Sequence, residues 1–462
     1  MFRMGHGHAV CQRRFMDNFK PSFMSRTDGT TWAKADNTWN AANAYLGGLI
    51  RPGKRKSMES ISERMDVNIN QVQQFITDSP WDPARATESI IERMAPDFSS
   101  KKGVLVVDDT GQRKQGKHSV GAKRQYSGTL GKVGNCQVGV DVIYALPGED
   151  RNADAIAWPL GFELYLPEDW ANDPARRREA DVPDDVQFRT KPRIALGMIE
   201  RARKHGLKYR CIVADSGYGD DGGFRGELRG KMDPYVLAVD PAMLRVIDAD
   251  VVLEFPQKGE TGAPRKHTRY PAGIEAYSPE QSASKLSADD WTEVKWANGT
   301  KGALSGLFYR RMVRIVHPQM GRRATDEVGW LLLEKHSDGL KAYICWGLDD
   351  QGLKRLVALA HMRWTVEQFH KDIKQVLGMD KFQGRTWRGW HHHMAMICLA
   401  HAFLAVLRAE KRGKEKLPSF SEVHWRIVEE LIIRDLSLKE GLRREQAKRI
   451  AMRMMKIGRA HV

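Results

Sequence analysis

The chain has 462 residues, of which 41% are hydrophobic and 29% are charged. These values exclude a peptide, a bare binding motif and a wholly disordered chain, because there is enough apolar side chain for about three domains or one large elaborated domain. Lys and Arg total 74 against 58 Asp and Glu, which gives a formal net charge of +16 and a pI near 9.5. Such a balance is typical of proteins that neutralise phosphates, so nucleic acid is the first partner to test.

The cysteines and the apolar runs indicate the compartment. Five cysteines stand far apart with no CxxC pair, which supports neither a zinc site nor a disulfide framework. The first twenty residues lack the apolar segment of a signal peptide, and the longest apolar run, Met394 to Leu407, is too short to span a bilayer. We therefore expect a soluble, cytoplasmic protein with no membrane partner.

The first quarter of the chain, from about Thr31 to Met94, has the apolar periodicity of helices. Within it, SMESISERM and INQVQQFI predict two short helices joined by a tight turn, with Ser57 as a candidate N-cap. This spacing is typical of a helix-turn-helix that reads DNA, but any two packed helices look similar. Both interpretations stay open at this point.

Strand-like runs begin near Lys101. GVLVVDDTG, NCQVGVDVIYAL, RCIVADSGYGD and PYVLAVD are β-rich, and the helical segment KPRIALGMIERARKHG lies between the second and third of them. This alternation predicts an α/β sheet. Residues 242–329 become irregular and rich in Gly, Ser and Thr, which indicates an insertion of β-rich character, and strand-like text resumes with WLLLEKH and KAYICWGL.

The last quarter of the chain is helical and basic. Residues 351–462 hold 23 Lys or Arg and 11 Asp or Glu, a balance of +12. We expect this region to contact the DNA backbone, although a solvated helical face is the alternative. The final residues, KIGRAHV, match the translation of a common sequencing adapter, so we exclude them from the interpretation of the fold.

A nucleotide-binding loop can be rejected from the sequence. Gly111 to Lys117 reads GQRKQGK and fits the pattern GxxxxGK after an apolar strand. A P-loop would place Ser or Thr at position 118 to ligate Mg²⁺, but His118 stands there. The Gly-rich text that follows is also unsuited to a phosphate-capping helix.

Carboxylates end two of the predicted strands. Asp108 and Asp109 close the first apolar strand and Asp215 closes another, so they should meet at the carboxyl edge of the sheet, where sites are commonly built. Glu367 lies on a predicted helix with Arg363 four residues before it and Lys374 seven residues after it. These three side chains fall on one face of that helix, where a structural ladder of ion pairs is the plain alternative to a site.

Three long blocks resemble insertion-sequence transposases of the DDE type. They are DDTGQRKQGKHSVGAKRQYSGTLGKVGNCQVGV, the ADSGYG turn, and RWTVEQFHKDIKQVLGMDKFQGRTWRGWHHHMAMICLAHAFL, in the family's order and spacing. The segment from YLGGLI to ITDSPWD is also similar, so the likeness extends to about residue 407. The resemblance implies an α/β fold of the ribonuclease-H-like type, with a mixed sheet flanked by helices and a β-rich insertion before the helix that carries the catalytic Glu.

The resemblance also implies a catalytic triad of two Asp and one Glu that binds two Mg²⁺ or Mn²⁺ ions. Asp108 takes the first position, because the family's acid stands two residues before a Thr, and Asp109 is the runner-up. Asp215 and Glu367 take the second and third positions. Three gathered carboxylates would repel one another without such cations, and two ions would support in-line displacement at a phosphodiester.

Six basic residues are predicted to contact DNA. In the family, residues at the positions of Arg363 and Lys374 hold the phosphates of transposon ends, whereas the family's Tyr falls on Ala360, which leaves the contact made by that Tyr in doubt. Around the first Asp, residues 101–132 hold 8 Lys or Arg and 2 Asp. An exposed basic hairpin without DNA is the alternative there. The remaining four predicted DNA contacts are Lys117, Arg124, Lys132 and Arg385.

A run of three histidines and a group of three tryptophans are not expected to belong to the catalytic site. His391, His392 and His393 have no paired acid at HExxH spacing, so we expect surface or DNA-facing histidines rather than metal ligands. Trp364, Trp387 and Trp390 are expected to be packing residues, with base stacking as the alternative.

Together these features predict a DNA transposase that binds terminal inverted repeats, cleaves the DNA and joins the element's 3′ ends to target DNA. The alternatives are an inactive transposase-derived DNA-binding protein and a metal-dependent nuclease without strand transfer. The expected partners are double-stranded DNA and a second copy of the chain, in the bacterial cytoplasm at the nucleoid. The predicted regions are a helical DNA-binding domain (1–97), the first part of the catalytic domain (98–241), the insertion (242–329), the second part of the catalytic domain (330–409) and a basic helical region (410–462).

Overall fold

The fold is taken from a computed structural model of the chain. The structure describes residues 12, 15–24, 35–53, 55–127, 131–148, 155–256, 266–299, 302–337, 339–410 and 417–459. The last three residues of the adapter-like segment lie outside the described residues.

One mixed sheet joins the eleven strands found among the described residues. The strand order is β2-β3-β1-β5-β6-β11-β10-β9-β7, with β4 paired to β3 and β8 paired to β9. The strands are β1 Val104–Arg113, β2 Lys123–Ser127, β3 Lys132–Leu146, β4 Ile156–Tyr165, β5 Cys211–Ala214, β6 Tyr235–Val239, β7 Val246–Asp248, β8 Thr292–Gly299, β9 Gly302–His317, β10 Arg323–His336 and β11 Gly339–Trp346.

The half of the sheet from β4 to β6 has the ribonuclease-H-like arrangement. Strands β4, β3 and β1 pair antiparallel, and β5 and β6 run parallel to β1. The apolar text of β1 and β5 is buried, as expected of strands that are covered on both faces. The α/β prediction and the ribonuclease-H-like fold are therefore confirmed.

Helices flank the sheet and form the first and last elements of the described part of the chain. The longer helices correspond to the helical text predicted from periodicity. They are α1 Lys20–Met24, α2 Ala35–Ile50, α3 Met58–Met65, α4 Ile69–Thr77, α5 Pro83–Phe98, α6 Glu168–Ala171, α7 Pro174–Glu179, α8 Lys191–Lys204, α9 Ser216–Gly219, α10 Gly222–Gly230, α11 Pro279–Ser284, α12 Leu353–Ala360, α13 Trp364–Gln375, α14 Trp387–Ala409, α15 Phe420–Lys439 and α16 Arg444–Arg459.

Helix α14 is the central helix of the molecule. It packs against β4 and against α2, α4, α5 and α15. Its length and apolar composition would suffice to cross a membrane, and no other helix among the described residues passes that test. Its most apolar stretch is 89% buried within the fold, which is the position of a core helix.

Strands β7–β11 extend the sheet beyond β6. Strand β11 pairs antiparallel with β6, so the inserted strands continue the central sheet. The predicted division between residues 329 and 330 falls inside β10, which runs without a break from Arg323 to His336. The division of the chain into domains stays a prediction.

Candidate active site

The two predicted aspartates lie side by side at one edge of the sheet. The parallel register pairs Val107 of β1 with Ala214 of β5, so the next residues along the two strands are Asp108 and Asp215. Asp215 is also the N-cap of α9, and its carboxylate accepts a hydrogen bond from the backbone N–H of Gly217 at 3.0 Å. This is the strand edge that the sequence indicated.

Asp108 and Asp109 point to opposite faces of the sheet, because successive strand residues alternate. Asp109 Oδ2 lies 2.9 Å from Nζ of Lys191 at the start of α8. Asp108 Oδ2 instead lies 3.7 Å from Nη1 of Arg363, in the turn that precedes α13. Asp108 therefore faces the element that carries Glu367, which supports it over Asp109 as the first acid.

Arg363 contacts two of the three predicted acids. Its guanidinium donates a hydrogen bond to Oε1 of Glu367, four residues later, and lies within ion-pair distance of Asp108. Burial lowers the pKa of Arg363, but Glu367, Asp108 and Asp215 outweigh that effect and raise it. The structure thus brings Asp108 and Glu367 together at Arg363, with Asp215 on the neighbouring strand edge, and their role as metal ligands stays a prediction.

Burial and neighbouring charges raise the pKa values of the edge aspartates. Burial raises the pKa of Asp108 to about 7, and the charges of Asp141 and Asp215 add to this effect. Burial also raises the pKa of Asp215, with the charge of Asp109 contributing. Carboxylates that are this costly to ionise are expected where a bound cation stabilises the charged form.

Asp141 and His370 are site residues that sequence reasoning missed. Asp141 lies on β3 directly opposite Asp108 and is fully buried. His370 of α13 places its Nε2 2.8 Å from Asp141 Oδ1, whereas Asp141 Oδ2 has no hydrogen-bond partner among the described residues. Burial lowers the pKa of His370, but the charges of Asp141 and Asp108 outweigh it and raise it.

Lys374 is engaged inside the protein. Its Nζ lies 2.5 Å from Oγ1 of Thr110, two residues beyond Asp108 on β1. Burial lowers the pKa of Lys374. Arg363 and Lys374 therefore contact the site itself, and the DNA contacts expected of them stay predictions.

The other four predicted DNA contacts are exposed. Lys117, Arg124 and Lys132 lie on the β2–β3 ribbon and the loop before it, and none of them has an ion-pair partner in the described part of the chain. Arg385 is exposed in the same way, and its backbone carbonyl accepts from the N–H of Val120 in that loop. No helix follows Lys117, in agreement with the rejected P-loop.

The expectation that the three consecutive histidines are surface residues is wrong. His392 and His393 are fully buried in α14, and His391 is half-buried. The hydroxyl of Tyr45 donates to Nδ1 of His393, and Nε2 of that ring lies 3.2 Å from the carbonyl of Met379. Burial lowers the pKa of His393 to about 3, so the ring is a neutral packing residue that ties α2 to α14.

The three tryptophans are not alike. Trp390 is buried and Trp387 is half-buried, as predicted for packing residues. Trp364 is 49% exposed at the start of α13, so packing does not account for it fully.

A buried polar network connects the insertion to the turn before α13. Glu334 of β10 accepts a hydrogen bond from the hydroxyl of Tyr343, and its Oε1 lies 3.0 Å from Nε2 of His336 and 3.3 Å from Nε2 of His361. The ring of His361 stacks on Trp296 of β8 at 3.9 Å and 6°. Burial alone would raise the pKa of Glu334, but His361, Tyr343 and His336 lower it. These contacts hold the turn two residues before Arg363.

The carboxylate oxygens at this edge are the ligand type that Mg²⁺ and Mn²⁺ prefer. The unpartnered Asp141 Oδ2 and the raised pKa of Asp108 fit such a cation chemically. Among the described residues, however, no group of three His, Cys, Asp or Glu side chains is arranged to hold a metal ion. Arg363 lies between Asp108 and Glu367, so metal binding requires Arg363 to release one of them.

The sheet order, the edge aspartates and the glutamate helix define the class of ribonuclease-H-like nucleases with a DDE arrangement. The chain belongs to the family described as DDE superfamily endonuclease, whose match covers residues 22–303. That match includes Asp108 and Asp215 and ends before Glu367.

A relative from Microchaete diplosiphon supports the same class. It is named "Probable transposase for insertion sequence element IS701" and is 32% identical over 176 residues, which is 38% of this chain and 42% of that protein. The match thus covers less than half of the relative's length.

Proposed function

We propose that the protein is a DNA transposase that binds the terminal inverted repeats of an insertion sequence, cleaves phosphodiester bonds at the ends and joins the 3′ ends to target DNA. The observation that carries this proposal is that Arg363 contacts both Asp108 and Glu367, while Asp215 follows the strand next to that of Asp108. The family membership and the similarity to a probable transposase support it.

Two divalent ions held by Asp108, Asp215 and Glu367 would activate a water or a DNA 3′-hydroxyl and stabilise the leaving oxygen. The chain's own residues prepare the site for them. The contact between Asp141 and His370 ties α13 to β3 opposite Asp108, and Lys374 of α13 contacts Thr110 of β1. With no cation bound, Arg363 neutralises the carboxylates of Asp108 and Glu367.

DNA binding is assigned to the exposed cations and to the N-terminal helices. Lys117, Arg124, Lys132 and Arg385 have no carboxylate neighbour in the described residues, so they are available for phosphates. A homodimer acting on paired ends and a nucleoid-associated location in the bacterial cytoplasm complete the proposal.

Two other functions compete with this one. An inactive, transposase-derived DNA-binding protein has no use for buried carboxylates with raised pKa, so Asp108 argues against it. A metal-dependent nuclease without strand transfer would keep the same site. An assay with precut ends and a target plasmid distinguishes the nuclease from a transposase, because only a transposase joins the ends.

The test compares two neighbouring aspartates. Wild-type protein with Mg²⁺ should nick a plasmid that carries the element's ends. Asp108→Asn should reduce the rate of nicking about a hundredfold or more. Asp109→Asn is the matched control, because Asp109 is paired with Lys191 rather than with Arg363, and it should keep more activity than Asp108→Asn. Equal loss in both variants would contradict the assignment of Asp108, and absence of cleavage by the folded wild type would contradict the proposed function.

A further inference from the structure

Helix α4 presents a row of exposed carboxamide side chains. Asn70, Gln71, Gln73 and Gln74 are all exposed, and none of their carboxamides makes a hydrogen bond within the described part of the chain. Nine residues form this helix, and it contains no charged side chain. An uncharged helix face in a strongly basic protein is unusual enough to require an explanation.

The two helices α3 and α4 have the lengths and the short turn of a helix-turn-helix. They contain eight and nine residues and are joined by residues 66–68. Asp66 ends α3 in the left-handed region at φ 55°, where the tight turn of this motif commonly has Gly. Asn68 then caps α4 by accepting from the backbone N–H of Asn70 at 2.8 Å. In DNA-binding proteins the second helix of this motif enters the major groove.

The buried and exposed faces of α4 are opposite each other. Val72, Phe75 and Ile76 are buried against the N-terminal core. At about 100° per residue, Asn70 and Gln74 lie at the centre of the opposite face, with Gln71 and Gln73 on its two sides. The face that is free to meet a partner is therefore made of carboxamides.

We propose that α4 is a recognition helix and that Asn70 and Gln74 read adenines in the major groove of duplex DNA. This inference rests on the proposed function and explains how the protein would recognise the base sequence of its DNA. An Asn or Gln carboxamide donates to N7 and accepts from N6 of adenine in one bidentate pair, whereas guanine offers two acceptors there and is matched by Arg or Lys. A face with four carboxamides and no cation is suited to A·T pairs.

Phosphate contacts come from neighbouring residues. Arg55 is exposed just before Ser57, the N-cap of α3, and its side chain has no carboxylate partner in the described ranges. In a helix-turn-helix the first helix crosses the DNA backbone, so Arg55 is placed to contact a phosphate. Binding and reading are thus assigned to different side chains.

The first experiment selects DNA with the full-length protein. A library of duplexes with a randomised central stretch is bound at about 150 mM salt, and the recovered sequences are read. Wild type should enrich a short block of A·T pairs. Gln74→Ala and Asn70→Ala should each lose the preference at one position, and Gln74→Lys should change it to G·C. Gln187→Ala is the control, because it removes an exposed glutamine that lies outside α3 and α4. It should select the same sequence as wild type.

The second experiment tests the contact atom by atom. In the selected duplex, each adenine is replaced in turn by 7-deazaadenine, which lacks the N7 acceptor. At the position read by Gln74 the replacement should weaken wild-type binding about 5- to 100-fold, and it should have no further effect on Gln74→Ala. The slope of log affinity against log salt should stay unchanged in Gln74→Ala and fall by about 0.9 in Arg55→Ala.

The outcomes separate this inference from the proposed function. If the selected sequence does not depend on Asn70 or Gln74, or if 7-deazaadenine has no effect, α4 does not read adenine, and a protein partner is the better occupant of its exposed face. Mg²⁺-dependent cleavage by wild type would leave the proposed function intact in that case. The variants must retain wild-type thermal unfolding, which is expected because all the substituted side chains are exposed.

Discussion

His370 Nε2 lies 2.8 Å from Oδ1 of Asp141, and the side chain of Asp141 is completely buried behind Asp108. Helix α13 is thereby tied to β3 by this contact. Asp108 lies opposite Asp141 on the neighbouring strand β1, which α13 also contacts. The pair acts on the site through position rather than through contact with DNA.

Breaking this pair should destabilise the protein. Asp141→Asn keeps the shape of the side chain but leaves His370 without its counter-charge, and we expect a loss of about 3–5 kcal/mol in the free energy of unfolding. The pKa of His370, which the carboxylates raise, should fall in the variant. Denaturant unfolding and an NMR titration of His370 measure the two effects. His370→Gln and the double variant complete the cycle. If the double variant loses as much stability as the two single variants together, the two residues are not coupled.

The contact between Arg363 and the acids predicts how the protein responds to metal. Arg363→Met removes the cation that neutralises Asp108 and Glu367, so the free energy of unfolding without metal should fall by about 1–3 kcal/mol. Added Mg²⁺ should raise the melting temperature more in the variant than in wild type, because no guanidinium competes with the ion. Arg193→Met breaks an exposed pair with Glu227 and should show neither effect. An identical response to Mg²⁺ in wild type and Arg363→Met would contradict the competition.

The third acid can be tested without changing the shape of the site. Glu367→Gln should stop cleavage and strand transfer while leaving the affinity for DNA nearly unchanged, because binding uses many phosphate contacts and catalysis needs every carboxylate that fixes the ions. Gel-shift and cleavage assays on the same preparation measure both. Glu367 is half-exposed and Gln keeps an acceptor for Arg363, so the free energy of unfolding should fall by at most about 1 kcal/mol. A folded variant that cuts DNA at the wild-type rate would remove Glu367 from the site.

The sequence predicted the sheet edge because apolar runs that end in carboxylates are local features. It could not predict Asp141, which is a single polar residue inside the apolar run of β3. Its importance arises only when the antiparallel register places it opposite Asp108. The contact between Arg363 and Asp108 could not be predicted either. Helical spacing brings Arg363 and Glu367 together but says nothing about Asp108.

The histidines of α14 show a second limit of sequence reasoning. Polar residues in series suggest a surface, and a helix on the outside of a protein would expose at least one of them. Helix α14 is surrounded by β4 and four other helices, so nearly every position along it faces the core. Such a central position depends on contacts between distant parts of the chain.

The exposed cations near the β2–β3 ribbon should control the salt dependence of DNA binding. Alanine at Lys117, Arg124 or Lys132 should each reduce the slope of log affinity against log salt by about 0.9, because one phosphate contact is lost. Lys123 is the matched control on the same ribbon, since its Nζ already lies 3.0 Å from Asp169. Lys123→Ala should change the slope less. Unchanged slopes in all three test variants would show that the ribbon is an exposed basic surface that does not contact DNA.

The pH dependence of stability can be tested at His401, which is buried between Phe369 and Phe420 and has no hydrogen-bond partner at Nδ1 among the described residues. Burial lowers the pKa of His401 to about 3, whereas the unfolded chain has the usual value near 6.5. As the pH falls below about 6.5, the unfolded state takes up a proton that the folded state refuses, so this residue removes about 1.4 kcal/mol of stability per pH unit until about pH 3. His401→Phe removes both the proton uptake and the unpartnered nitrogen. The free energy of unfolding, measured in urea at pH 7.5, 6, 5 and 4.5, should therefore fall less steeply with acid in the variant than in wild type. Parallel pH profiles would contradict a neutral, buried His401.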